Sequence, residues 1–316
     1  MVFTKLIIAG STGWVADHAI RAILASTKPK FDVTILTRAD SGKEVPSRPG
    51  ANLIAVDYNN HDQLVKIFTG ADAILSFISG PPSKIIDKQL LKAAQEAGVR
   101  RIFPSEYTLD ILHPDAATLL TEGGNWPEDS SPVLTARKFV SLAQEGGPTS
   151  FTTLIPSAFM DGWLEGAFGS FDPKNRKVTV VDSGDFTFSG CTLPYLGAAI
   201  VAVLQMDEEK TKNKRIRISE IRTTMNEITK TYEEILGTKF EKTHVSSQEL
   251  LDQRNANLAA GNPFGALFVT ILIGAFNGCG AGDLADGLDF DGDGYLTLKK
   301  KTLKEMTIEA LQKIGA

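Results

Sequence analysis

The chain has 316 residues, 42% of them hydrophobic and 22% charged, with a formal net charge of −5. That length can bury a large core, the composition is that of an ordinary globular protein, and the acidic balance excludes a basic surface for nucleic acid. The two cysteines, Cys191 and Cys279, are far apart and form neither a disulfide framework nor a CxxC metal motif.

Only Val2 to Lys5 precede the first apolar run, which leaves no room for a signal peptide. The most apolar later stretch, Phe264 to Phe276, is 13 residues long, too short to span a bilayer, and reads as a buried helix. A cytoplasmic protein without membrane contact is expected.

In chain order, Leu6 to Ala9 reads as a buried strand. Gly10-Ser11-Thr12-Gly13 turns the chain, and Trp14, Val15 and Ala16 lead into a helix continuing through Ile20, Ile23 and Leu24. Glycine in such a turn permits positive φ and close approach of backbone N–H groups to a ligand. The helix N-terminus behind it offers free donors and a partial positive charge, which suits a phosphate. The spacing is G-x-x-G-x-x-A, and a strand before it with a helix after it points to dinucleotide binding. Further strands are expected at Phe31 to Arg38, Asn52 to Asp57, Ala73 to Ile78, Val99 to Phe103 and Phe151 to Ile155. Helical patterns lie between them, around Leu64 to Phe68, Ile85 to Ala97 and Val133 to Glu145. This alternation predicts a doubly wound α/β domain with a parallel sheet, whose ligands lie at the carboxyl ends of the strands. Residues 108–132 read as irregular. After Pro156 the rhythm changes to aromatic and glycine-rich segments and a hairpin-like run from Val178 to Phe188. The expected division is a dinucleotide-binding domain over residues 1–156 and a smaller C-terminal substrate-binding lobe over 157–316, with about 212–220 able to return to the sheet edge.

Several of these segments together resemble a known family. They are Gly10-Ser11-Thr12-Gly13, Arg38 after the second strand, and Val99-Arg100-Arg101-Ile102-Phe103-Pro104-Ser105-Glu106-Tyr107, similar to the family's "GVKRFIPSEFG". A T-x-N-K run ending at Lys214 and Thr224-Met225-Asn226-Glu227-Ile228 follow in order. The chain resembles the NmrA-like and isoflavone reductase-like branch of atypical short-chain dehydrogenases over roughly residues 5 to 250. That resemblance implies an NAD(P)-binding Rossmann domain. Members include isoflavone, pinoresinol and phenylcoumaran benzylic ether reductases and a dinucleotide-sensing regulator. An oxidoreductase acting on an aromatic secondary metabolite is therefore expected, with a non-catalytic sensor as the alternative. The ordinary Y-x-x-x-K pair is absent, in keeping with that branch. The resemblance assigns the general acid/base role to a lysine on the helix before the sixth strand, and the lysine there is Lys138.

Other candidates follow from position. Arg38 stands where an NAD-preferring protein carries a carboxylate, and an arginine there pairs with the 2′-phosphate of NADPH. Lys43 in the next loop can add a second charge. Asp57 ends the third strand near the expected adenine, and Phe77 and Ser79 follow the fourth strand along the groove. Phe159, Met160, Trp163 and Phe168 follow the sixth strand, where the family's segment borders nicotinamide and substrate; Phe159 is assigned to the cofactor and the other three to an aromatic substrate. Asp289 to Thr297 resembles an EF-hand loop, but the twelfth position is Lys300 where a bidentate glutamate is needed, so no calcium is expected. The four histidines are scattered and no metal is expected. A monomer or homodimer is expected.

Overall fold

A strand buried on both faces must be apolar throughout, and β1 (Lys5–Ala9) is: all but its first residue are buried. The computed structural model describes residues 2–39, 47–80, 82–121, 125–127, 130–285, 296 and 298–316. After β1 come α1 (Trp14–Ala25), β2 (Asp32–Arg38), β3 (Ala51–Val56), α2 (His61–Phe68), β4 (Ala73–Ser76), α3 (Pro82–Ala97), β5 (Arg101–Phe103), α4 (Pro114–Thr121), α5 (Pro132–Glu145) and β6 (Ser150–Ile155). The second part of the chain gives β7 (Ala158–Phe159), α6 (Met160–Leu164), β8 (Phe171–Asp172), β9 (Lys177–Val181), β10 (Phe188–Cys191), α7 (Leu193–Gln205), α8 (Glu208–Thr211), β11 (Lys214–Arg217), β12 (Ile221–Thr223), α9 (Met225–Leu236), β13 (Glu241–Val245), α10 (Ser247–Ala259), α11 (Pro263–Phe276) and α12 (Leu303–Ile314).

A seven-stranded sheet runs in the order β11-β6-β5-β4-β1-β2-β3, and every pairing within it is parallel. The order reverses at β1, between β4 and β2, which opens a crevice at the carboxyl ends of those strands. Helix α1 buries Ala16, Ala19, Ile20 and Ile23, an i, i+3, i+4, i+7 stripe, and packs with α7 on one face. Helices α2, α3 and α5 cover the other face through Leu64, Phe68, Leu90, Ala94, Phe139 and Ala143. The fold is thus the doubly wound α/β architecture read from the sequence.

A third core lies beside the sheet and gathers α4, α6, α9, α11 and α12 around Trp163, Phe171, Phe188, Tyr232 and Phe276. Three of the helices in the second part of the chain begin with full capping boxes, at Thr224 with Glu227, Ser246 with Glu249 and Thr302 with Glu305.

Two expectations are corrected. Residues 108–132 contain α4, an eight-residue helix whose Ala116, Ala117 and Leu120 enter the third core. The run from Val178 to Phe188 is not a hairpin: β9 pairs with β8 and β13, whereas β10 pairs with β7 and β12. Between them Asp182 and Gly184 both take positive φ, and the strands leave the turn in different sheets.

Candidate functional site

The crevice starts at the turn after β1. Gly10 has φ +85, and a Cβ there would stand 2.9 Å from the backbone carbonyl atoms of Phe77, so the fold itself demands glycine. Gly13 is different. It caps α1 with φ −79 and ψ 162, a conformation open to any residue, and a Cβ there would meet nothing within 4 Å. Its missing side chain leaves open space at the head of α1. Gly13 supplies no side-chain cap, so the first amides of α1 face that space. Free amides at a helix head of this kind can receive a phosphate, and the Gly10 to Gly13 turn leaves space there for one. Arg48 braces the turn from outside: it donates to the Ser11 carbonyl at 3.1 Å and pairs with Asp17 of α1 at 2.6 Å.

Three cavities join along the strand ends. The central one, about 270 Å³, is lined by Gly10, Ser11, Thr12, Gly13, Arg38, Tyr58, Phe77 and Ser79 among others. Toward β3 it shares Arg38, Tyr58, Pro82 and Ile86 with a space of about 940 Å³ that Asp57 also lines. The exposed Arg38 guanidinium makes no hydrogen bond or ion pair among the described residues. Burial pushes the Tyr58 phenol up to about 12, opposed by the Gly10 backbone and the Arg38 charge.

In the other direction Gly13, Phe77, Ile78 and Ser79 are shared with a cavity of about 350 Å³. Its walls are largely apolar: Trp14, Val15, Phe77, Tyr107, Phe159, Phe168, and Leu267 and Ile271 of α11. Phe77 and Tyr107 stack at 5.1 Å with rings 16° apart, and Trp14 leans on Phe168 at 6.2 Å. Polar side chains also line it, among them Ser79, Tyr107, Thr108 and Thr270. Ser83, Lys84, Ser105 and Glu106 line it as well. Glu106 is buried and paired with Arg215 of β11. Beneath them lies Asp87, which accepts from the Ser105 N–H at 2.8 Å. Burial pushes the Asp87 carboxyl up to about 6, against the Ser76 hydroxyl, the Ser105 amide and the Lys84 charge, which favour its anion. The Tyr107 hydroxyl is buried without a hydrogen-bond partner among the described residues, and burial, with Asp87 nearby, raises its pKa well above the ordinary phenol value.

The structure therefore brings Gly10, Ser11, Thr12, Gly13, Trp14, Val15, Arg38, Asp57, Phe77, Ser79, Phe159 and Phe168 onto one continuous groove. It leaves three expected residues off it. Lys138 is exposed on α5 and lines none of the three cavities, because Val133, Ala136, Phe139 and Ala143 form that helix's buried stripe and turn Lys138 to solvent. Met160 is fully buried against Gly190, where a Cβ would stand 2.7 Å from its sulfur. Trp163 packs edge-on against Phe276 at 4.8 Å and against Phe168 at 5.0 Å, inside the third core. Lys43 and most of the Asp289 to Thr297 loop fall outside the described residues. Sequence reasoning missed Tyr58, Lys84 and Tyr107. Tyr58 directly follows the expected Asp57, and Tyr107 lies inside the quoted motif, whereas nothing local marks Lys84.

The chain was compared with known proteins. Residues 4–118 match the model of the NmrA-like family. An oxidoreductase of Aspergillus flavus is 25% identical over 282 residues, covering 89% of this chain and 90% of that protein. An isoflavone reductase of Cicer arietinum is 24% identical over 286 residues, covering 84% of this chain and 86% of its own length. Among solved structures, a leucoanthocyanidin reductase–NADPH complex from Vitis vinifera superposes with a TM-score of 0.71 at 19% identity, covering 97% of this chain and 99% of that one. Residues 4–118 of this chain thus carry the NmrA-like signature, and its overall fold is the one seen in isoflavone reductase-like proteins.

Proposed function

We propose that this protein is a reductase that uses NADPH to reduce a phenolic or other aromatic metabolite. The observation that carries the reading is the continuity of the groove: a phosphate cradle at Gly13 opens on one side to Arg38 and on the other to an aromatic cavity. The similar proteins of known activity, an oxidoreductase and an isoflavone reductase, support the same class, and the leucoanthocyanidin reductase was solved with NADPH.

The residues divide the work by position. The amides of α1 and the Gly10 to Gly13 turn would hold the pyrophosphate. Arg38 would pair with the 2′-phosphate, a charge-assisted contact worth about 1.5–3 kcal/mol. Asp57 and Tyr58 flank the adenine end. When bound, the nicotinamide supplies a hydride. Phe159, Phe77 and Ser79 border the junction where its ring would enter the aromatic cavity. Trp14, Tyr107 and Phe168 offer flat apolar surface to an aromatic ligand and exclude water around it. The proton that balances the hydride is held by a group inside that cavity, which Lys138 is not.

The test is consumption of NADPH by purified protein with a panel of isoflavones and other phenolic enones. Oxidation dependent on one of them supports the reading. Tight NADPH binding with no oxidation across the panel would instead favour the dinucleotide sensor among NmrA-like proteins.

A further inference from the structure

Arg48 stands just before β3 and reaches back to the Gly10 to Gly13 turn. Its side chain is only 11% exposed, and arginine is rarely buried unless it is paired. One guanidinium nitrogen donates to the Ser11 carbonyl at 3.1 Å and another pairs with Asp17 at 2.6 Å, so the planar fork spans the turn and the first turn of α1. The Arg48 backbone is itself fixed, since its carbonyl accepts from the Ala51 N–H at 3.0 Å at the start of β3. Arg48 lines none of the three cavities, so it grips the turn from behind the groove. The Ser11–Thr12 peptide is trans, and in a trans peptide the carbonyl and the following N–H point opposite ways. With the Ser11 carbonyl drawn back to Arg48, the Thr12 N–H is turned the other way, and Thr12 lines the central cavity. That N–H donates no hydrogen bond among the described residues.

We propose that Arg48 is a positioning residue for the dinucleotide: by gripping the Ser11 carbonyl it aims the Thr12 amide at the pyrophosphate. The inference rests on the reading of the turn as a dinucleotide site, and it holds for a reductase and for a sensor alike. A loose peptide in the turn would have to be ordered when the ligand arrives, at a cost in affinity, whereas Arg48 orders it beforehand. Asp17 holds the other end of the fork and gives its second oxygen to Arg21 at 2.7 Å, which fixes the guanidinium and leaves no unpaired carboxylate beside the anion. Arg38 and Arg48 then have separate tasks. Arg38 lines the groove and meets a phosphate with its own charge, while Arg48 stays behind the turn and acts through a backbone amide. The pyrophosphate is common to NADPH and NADH, so Arg48 raises the affinity for both equally, whereas Arg38 separates them.

The test is calorimetric titration of wild type and Arg48→Met with NADPH, NADH and adenosine 2′-monophosphate, which carries the 2′-phosphate but no pyrophosphate. In Arg48→Met both dinucleotides should weaken by the same factor, about tenfold to a hundredfold. Adenosine 2′-monophosphate should keep its wild-type affinity, a result that general damage to the site would not give. Arg48→Lys keeps the charge but not the two-ended fork, and should show the same pattern with a smaller loss; it carries the test if Arg48→Met does not fold. Arg48→Met combined with Asp17→Asn should retain the loss, because the grip on Ser11 is still missing. Unchanged dinucleotide affinity, a loss confined to NADPH or shared by adenosine 2′-monophosphate, or recovery in the double variant overturns the proposal. A wild type that binds neither dinucleotide removes the reading of the turn together with this inference, whereas unchanged affinity in Arg48→Met removes this inference alone.

Discussion

Gly10 and Gly13 are three residues apart and differ in what requires them. Gly10 is held at positive φ with the Phe77 backbone where a Cβ would go, so Gly10→Ala should destabilise the whole protein. Gly13 has ordinary dihedrals and empty space around it, so Gly13→Val should fold normally and lose NADPH binding. Thermal unfolding with dinucleotide titration of both variants checks this; a Gly13→Val protein that bound NADPH normally would place the phosphate elsewhere. Asp87 gives a pH signature. Its carboxyl is pushed from an ordinary 3.8 to about 6 on folding, so between those values the folded state keeps a proton that the unfolded chain releases. Stability from this group is therefore fully present below about pH 4 and lost as pH rises through 6, by about 2–3 kcal/mol. Asp87→Asn keeps an acceptor for the Ser105 amide and should be more stable than wild type at pH 7. Urea midpoints measured from pH 4 to 7 should show a slope in the wild type that the variant lacks. At this scale the sequence was most legible at Gly10, where positive φ and the Phe77 backbone leave room for glycine alone. It was silent about Lys84, because a lysine in a helical pattern carries no mark of which side it faces until the packing of α3 is known.

At the scale of elements, periodicity located the six expected sheet strands and the helices between them, since a buried parallel strand admits little besides apolar residues. It failed at α5. The resemblance placed Lys138 on the right helix, but the buried stripe of Val133, Ala136, Phe139 and Ala143 decides which residues face inward, and Lys138 falls between its members. Lys138→Ala should accordingly leave NADPH turnover unchanged and alter stability by no more than about 0.5 kcal/mol. A fall in turnover of about a hundredfold or more would return Lys138 to the chemistry. The same limit explains the aromatic run after β6. Phe159 and Phe168 reach the cavity, while Met160 and Trp163 fill the third core, a distinction set by α6 packing against β10 and α11 rather than by residue type. The hairpin expected at Val178 to Phe188 was misread because an apolar turn-apolar pattern does not say whether its two arms pair with one another.

Over the whole molecule, the sheet and the C-terminal core are fastened at the site. Strand β11 comes late in the chain yet adds to β6 in parallel register, Lys214 opposite Thr152 through Arg217 opposite Ile155. From there Arg217 grips Asp110 with two hydrogen bonds, at 2.7 and 3.0 Å, and Arg215 holds Glu106, so the loop carrying Ser105 and Tyr107 is anchored from the far end of the sequence. Helix α11 closes the opposite wall with Leu267 and Ile271. A cleft built this way is held between packed layers, which preforms the groove proposed above for a dinucleotide and an aromatic ring. The central claim is that the groove selects NADPH through Arg38, and calorimetric titration of NADPH and NADH against wild type and Arg38→Ala tests it most directly. NADPH should bind wild type well over tenfold more tightly than NADH, and Arg38→Ala should bring the two affinities together. Equal affinities in the wild type, or a preference that Arg38→Ala leaves intact, would contradict the account.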